Sequence, residues 1–207
     1  MPLATDMYLP SLPAIGRAFD TAPARTQLTL SVFLIGMVAG QIVYGPLSDS
    51  LGRRPVLIAG IALFTLASAL CALAPSIEFL IAARFLQAVG AAAPVIIGRA
   101  VVRDLYDGAH AGRELSRMGA IMGIIPAVAP ILGGLLQERF GWPSNFIGAA
   151  AFAAALGIFC FLALPESNAR SGKAWPGIFA IGREYGIVLR SKLYRAYVAF
   201  LVSSHAG

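Results

Sequence analysis

Two stretches of this 207-residue chain, residues 28–47 and 56–77, contain no Asp, Glu, Lys or Arg. Each is long enough to cross a bilayer as a helix, since about 20 residues at about 1.5 Å rise span a hydrocarbon core of roughly 30 Å. Between them lies a charged decapeptide, Gly45-Pro-Leu-Ser-Asp49-Ser-Leu-Gly52-Arg53-Arg54. The pattern reads as two spanning helices joined by a polar hairpin at one membrane face. Gly45 and Gly52 allow the sharp turn, and one acid and two guanidinium groups gather where the helices emerge.

Composition carries the same reading to the whole chain. With 58% hydrophobic and 13% charged residues, there is too little polar surface to cover a soluble globule, and an integral membrane protein is expected. The formal net charge of +6 does not point to nucleic acid, because the basic residues alternate by loop and form no single patch or stripe. Cys71 and Cys160 lie inside apolar runs and read as packed thiols, so no disulfide framework, metal site or cofactor is expected. The N-terminus lacks the basic region, long apolar stretch and small-residue cleavage site of a signal peptide.

In chain order, residues 1–15 are mostly apolar, carry three prolines and are too short to span, so they read as the second half of a helix. A polar connection follows at 16–26. Helix 2 is expected from Gln27, and its Gly36-x-x-x-Gly40 spacing permits close helix contact in lipid. Helices 3 to 6 are expected at about 55–74, 78–103, 115–137 and 143–164. These give a transmembrane bundle over 1–164, a central loop over 165–192 and the start of a seventh helix at 193–207.

Short cytoplasmic loops are enriched in Lys and Arg. With the Asp49 hairpin inside, the inner connections hold Arg53, Arg54, Arg99, Arg103, Arg113, Arg117, Arg170, Lys173, Arg183, Arg190, Lys192 and Arg195. The outer ones hold only Arg17, Arg25 and Arg139, and Arg84 lies within the membrane. The asymmetry places the Asp49 loop and the central loop in the cytoplasm.

Gly45-x-x-x-Asp49-x-x-Gly52-Arg53-Arg54 resembles the loop between helices 2 and 3 of major facilitator superfamily transporters, with Ser50 where many members carry Arg or Lys. The resemblance implies a gating loop that latches the two halves of a transporter and regulates alternating access. Arg84-Phe-Leu-Gln87-Ala-Val-Gly90 resembles the superfamily's intramembrane Arg-Gln-Gly motif. Pro126 and Ala129-Pro130-Ile-Leu-Gly133-Gly134 resemble in part the helix 5 motif of proton-coupled antiporters, with Ala129 where many members have Gly. Together with Ala4-Thr-Asp6-Met-Tyr-Leu-Pro-Ser-Leu-Pro13, these segments resemble the bicyclomycin and chloramphenicol resistance group of drug:proton antiporters. The implied fold is an all-α membrane protein, the six-helix amino-terminal half of a twelve-helix major facilitator fold, with helix 1 truncated and helix 7 only begun. Such halves contain two inverted three-helix repeats, which makes helices 1 and 4 equivalents.

The intramembrane charges stand out on physical grounds as well. A charge in hydrocarbon costs several kcal/mol unless it faces a cavity or a partner, so Arg84 is a functional candidate, and Gln87 one turn on shares its face. Asp6 is the acid farthest from any expected loop, a place suited to a group that gains and loses a proton in each cycle. At about 1.5 Å per residue Asp6 and Arg84 reach similar depths, and they are expected to meet across a proton-coupling and substrate cavity that also includes Gln87.

The expected function is proton-coupled efflux of small amphipathic drugs across the cell inner membrane, by alternating access and together with a carboxy-terminal half. Another superfamily transporter, such as a sugar or metabolite symporter, and an inactive truncated membrane fragment are the other readings. An enzyme is not expected. No nucleophile pairs with a His in the helices, since His110 sits in a loop and His205 near the chain end.

Overall fold

The structure, a computed structural model, describes residues 2–168 and Ser191. Most of the expected central loop, and the expected start of helix 7 at 193–207, lie outside the described residues. The described helices fall in the first of the two units, residues 1–172 and 173–207, into which the chain divides.

All regular structure among the described residues is helical. The chain opens with short pieces: α1 (Pro2–Asp6), a 3₁₀ turn (Leu9–Ser11) and α2 (Leu12–Ala18). Five helices follow that are long and apolar enough to cross a membrane: α3 (Pro23–Leu51), α4 (Arg53–Ala72), α5 (Ile77–Leu105), α6 (Gly108–Phe140) and α7 (Pro143–Ala163). Prolines open α3 and α7, where a missing N–H costs no helical bond. The Ser76 side chain caps α5 by accepting from Phe79 N at 3.2 Å. This proline start places the beginning of α3 at Pro23, ahead of the expected Gln27.

The expected ten-residue hairpin takes a different form. Helix α3 continues through Gly45 and Pro46 to Leu51, and the reversal is made by the single residue Gly52 at φ 104° and ψ 153°. That backbone conformation is open in practice only to glycine. Gly45 is a helical residue and plays no part in the turn.

Helix α5 is the centre of the bundle, with α3 and α4 packed along it and α7 packed along α4. Gly36 and Gly40 are buried on the α3–α5 seam, where a Cβ would meet Phe85 O and Ala88 at one position and Val89 O and Ala92 at the other. The seam follows the small-residue spacing in the sequence. One apolar cluster joins Tyr44, Leu57, Ile61, Ala93, Ile97 and Ala153, and another joins Tyr8, Ile15, Cys71, Leu80 and Phe146. The outer surface is apolar too, with Leu34, Ile35, Leu66, Ile121, Ile131 and Phe159 all exposed. Water would make such a surface a large aggregation site, whereas lipid solvates it.

Candidate functional site

Two turns into α5 the Arg84 side chain is fully buried, and so is Gln87 one turn further on. Arg84 Nη1 donates to Gln87 Oε1 at 2.6 Å and to Ala4 O, on α1, at 3.4 Å. Gln87 Nε2 donates in turn to Ser68 Oγ on α4 at 2.8 Å. The guanidinium also lies over three rings, Phe33 at 4.2 Å, Tyr8 at 4.4 Å and Phe146 at 5.7 Å from carbon to centroid. Arginine is the cation suited to this place, because its planar, weakly hydrated group stacks on aromatic faces and keeps its charge. The cluster ties together α1, α3, α4, α5 and α7.

Asp6 is not the partner of Arg84. The ion pairs among the described residues are Arg25–Glu78, Arg53–Asp49, Arg53–Asp104 and Arg117–Glu114. The expected meeting of Asp6 with Arg84 is corrected by helical geometry. Residues four apart share a helix face and residues two apart do not. Helix 1 turns Ala4 and Tyr8 toward Arg84, which directs Asp6, the last residue of α1, elsewhere.

A cavity of about 590 Å³ lies between the helices, with Ala4, Met7, Phe64, Pro94, Leu132 and Phe152 among its apolar lining residues. Asp6, Arg84 and Gln87 are not in its wall. On α6, which runs unbroken through Pro126 and Pro130, the paired glycines have different surroundings. A Cβ at Gly133 would strike the Met7 backbone, whereas one at Gly134 would meet nothing within 4 Å.

The Gly52 turn holds a second polar cluster. Arg53 bonds Asp49 at 2.5 Å, Asp104 at 2.9 Å and Ser48 Oγ at 2.7 Å. Arg54 donates to Phe161 O at 2.6 Å and lies over the Phe161 ring at 5.4 Å. Just beyond α7, Glu166 accepts from the backbone N–H of Arg53 at 2.9 Å and of Arg54 at 3.0 Å. A carboxylate there complements the positive end of the α4 dipole. Asn168 Nδ2 donates to Ser48 O at 3.3 Å and Asp49 O at 2.9 Å, so the other helix end is capped as well. A Cβ at Gly52 would collide with the Glu166 carboxylate.

Desolvation pushes the Glu166 carboxyl up, but backbone N–H donors from Asn168, Arg53, Arg54 and Ser167 outweigh it and hold the group below its ordinary range. The folded state therefore favours the carboxylate. Its contribution is present at neutral pH and is lost only as pH falls through that depressed value. Thermal unfolding followed against pH is expected to show Glu166→Gln less stable than wild type at neutral pH, with the gap closing below the usual carboxylate range. A gap that did not change with pH would show that the capping charge is irrelevant.

Sequence reading identified Arg84, Gln87 and the Gly52 turn but missed Ser68, Asp104 and Glu166. Only Glu166, an acid directly after an apolar run, carries a local signal. The others acquire their meaning from partners on different helices.

Membrane-length helices gathered on a buried guanidinium–amide pair, with polar side chains binding helix ends at one edge, are the architecture of a multi-pass membrane protein. The chain belongs to the Major Facilitator Superfamily, whose family model matches residues 1–206. It is 35% identical over 208 residues to the uncharacterized MFS-type transporter YdgK of Bacillus subtilis (strain 168), covering 100% of this chain and 52% of that protein. It is 39% identical over 179 residues to a chloramphenicol resistance protein of Pseudomonas aeruginosa, covering 84% of this chain and 39% of that protein. It is 36% identical over 173 residues to the multidrug resistance protein MdtL of Escherichia coli O9:H4 (strain HS), covering 84% of this chain and 44% of that protein. Among solved structures, the human organic anion transporter MFSD10 (TETRAN) matches with a TM-score of 0.60 at 21% identity, over 80% of this chain and 45% of that one; this likeness concerns the fold. The chain spans about half the length of the relatives it matches.

Proposed function

We propose that this chain serves as the amino-terminal half of an inner-membrane exporter that exchanges protons for small amphipathic drugs by alternating access. The observation that carries the reading is the buried Arg84–Gln87 pair, which grips helix 1 two residues from Asp6. A cation so deep in a spanning bundle is costly and is kept where a transport pathway uses it. Relatives named for chloramphenicol and multidrug resistance support the substrate class. The Lys and Arg asymmetry supports a cytoplasmic Asp49 turn and central loop. Asp6 takes and releases the proton, Arg84 and Gln87 hold the segment that carries it, and the partner half supplies the rest of the drug site. The Gly52 turn, with Asp49, Arg53 and Arg54, acts as the gate between the halves, and α6 presents Pro126 and Pro130 to them.

Reconstitution of the full-length transporter in proteoliposomes tests this. Drug addition is expected to release protons from wild type, and Asp6→Asn is expected to abolish that release while inserting normally. Normal release from Asp6→Asn would remove Asp6 from the mechanism.

A further inference from the structure

Helix 1 is where this bundle leaves its backbone hydrogen-bond ladder. In a continuous α-helix Tyr8 N would donate to Ala4 O and Ser11 N to Met7 O. Here Tyr8 N donates to Thr5 O at 3.2 Å and Ser11 N to Tyr8 O at 2.9 Å. Pro10 and Pro13 have no N–H, so the ladder is not resumed across the 3₁₀ turn.

The two carbonyls released in this way are taken by side chains of other helices. Arg84 Nη1 donates to Ala4 O, and Asn145 Nδ2 on α7 donates to Met7 O at 3.0 Å. The same amide nitrogen donates to Ser11 Oγ at 2.7 Å, so Asn145 bridges both sides of the break. Asn145 is 3% exposed and Ser11 fully buried. From the other sides, Tyr8 OH is bonded to Thr29 Oγ1 at 2.7 Å and Gly133 lies against the Met7 backbone. Between the two released carbonyls, two residues after one and one before the other, sits Asp6.

We infer that Asn145 is a positioning residue for Asp6: it fixes the break in helix 1 and thereby the place of the carboxyl that the segment carries. The inference rests on the reading of Asp6 as the coupling acid. A carbonyl held by a side chain changes partner by one rotamer, whereas one held in a ladder must melt a helical turn. Broken helices in transporters place irregular backbone where it lines a working site. The break thus lowers the cost of rearranging the Asp6 segment, and Asn145 holds it in the arrangement described here.

The test uses the full-length transporter with Asn145→Leu and Asn145→Gln, read by amide hydrogen exchange and by drug-driven proton release. Asn145→Leu is expected to speed exchange over residues 7–12 roughly tenfold, the loss of two hydrogen bonds, with α3 and α5 unchanged. It is also expected to lower the protons released per drug without moving the half-saturating drug concentration, and Asn145→Gln should restore both. Wild-type exchange over residues 7–12 in Asn145→Leu would overturn the inference, and so would lowered coupling that the amide of Asn145→Gln fails to restore. If Asn145→Leu does not fold, Ser11→Ala removes only the 2.7 Å bond. A smaller rise in exchange over the same residues then supports the inference, and no rise sinks it. Asp6→Asn separates the two readings, because normal proton release there removes the coupling role of Asp6 while the exchange result still decides whether Asn145 holds the break.

Discussion

In the transporter proposed above, Arg84→Ala is expected to lower stability by about 3 kcal/mol and to abolish the proposed drug efflux. The truncation empties a space walled by Phe33, Tyr8 and Phe146, takes the donor from Ala4 O and leaves Gln87 Oε1 with only the long Cys71 Sγ contact at 4.0 Å. Arg84→Lys is expected to recover insertion and part of the stability, because a long apolar stem refills the space, without recovering efflux. An ammonium is a compact, strongly hydrated point charge and does not stack on aromatic rings while bonding a side-chain amide and a carbonyl as a guanidinium does. Thermal unfolding and efflux measured on the same preparations separate these effects. Efflux from Arg84→Lys within about twofold of wild type would show that a positive charge is sufficient and that the aromatic enclosure is packing.

The second large effect is expected on α6, where adjacent glycines should respond in opposite directions. Gly133→Ala places a Cβ against the O, Cα and C atoms of Met7. Backbone atoms cannot swing aside as a side-chain tip can, so α6 must move off helix 1, at a cost of roughly 2 kcal/mol. Gly134→Ala meets open space, and there alanine should stabilise the helix by up to about 1 kcal/mol. The melting temperatures of the two variants should therefore lie on either side of wild type. A destabilised Gly134→Ala beside a neutral Gly133→Ala would mean that helix 1 does not contact α6 in this register. Because Met7 is also held by Asn145, the Gly133 and Asn145 substitutions share a partner and their effects should not add.

How much was legible in the sequence depends on how far each feature reaches along the chain. The charge-free runs determined the spanning segments, since the length and hydropathy of a run are local properties that the bilayer thickness alone evaluates. Motif spacing determined the family and marked Arg84, Gln87 and Gly52, because a buried cation in an apolar run and a glycine between charges are unusual wherever they occur. The Gly36–Gly40 spacing also appeared where expected, as a close helix seam.

Partner choice was decided by the tertiary structure alone. Sequence depth put Asp6 and Arg84 level, but the break at Pro10 and Pro13 and the packing of Met7 on Gly133 set the rotation of helix 1, and rotation decides which side chain a buried cation meets. The turn shrank to Gly52 because α3 gains hydrogen bonds by running through Pro46 to Leu51, and because Glu166 and Asn168, more than 110 residues downstream, cap both exposed helix ends. Asn145 reads in sequence as one polar residue at the head of an apolar helix. It becomes the clasp of helix 1 only when a carbonyl released 138 residues away is folded against it.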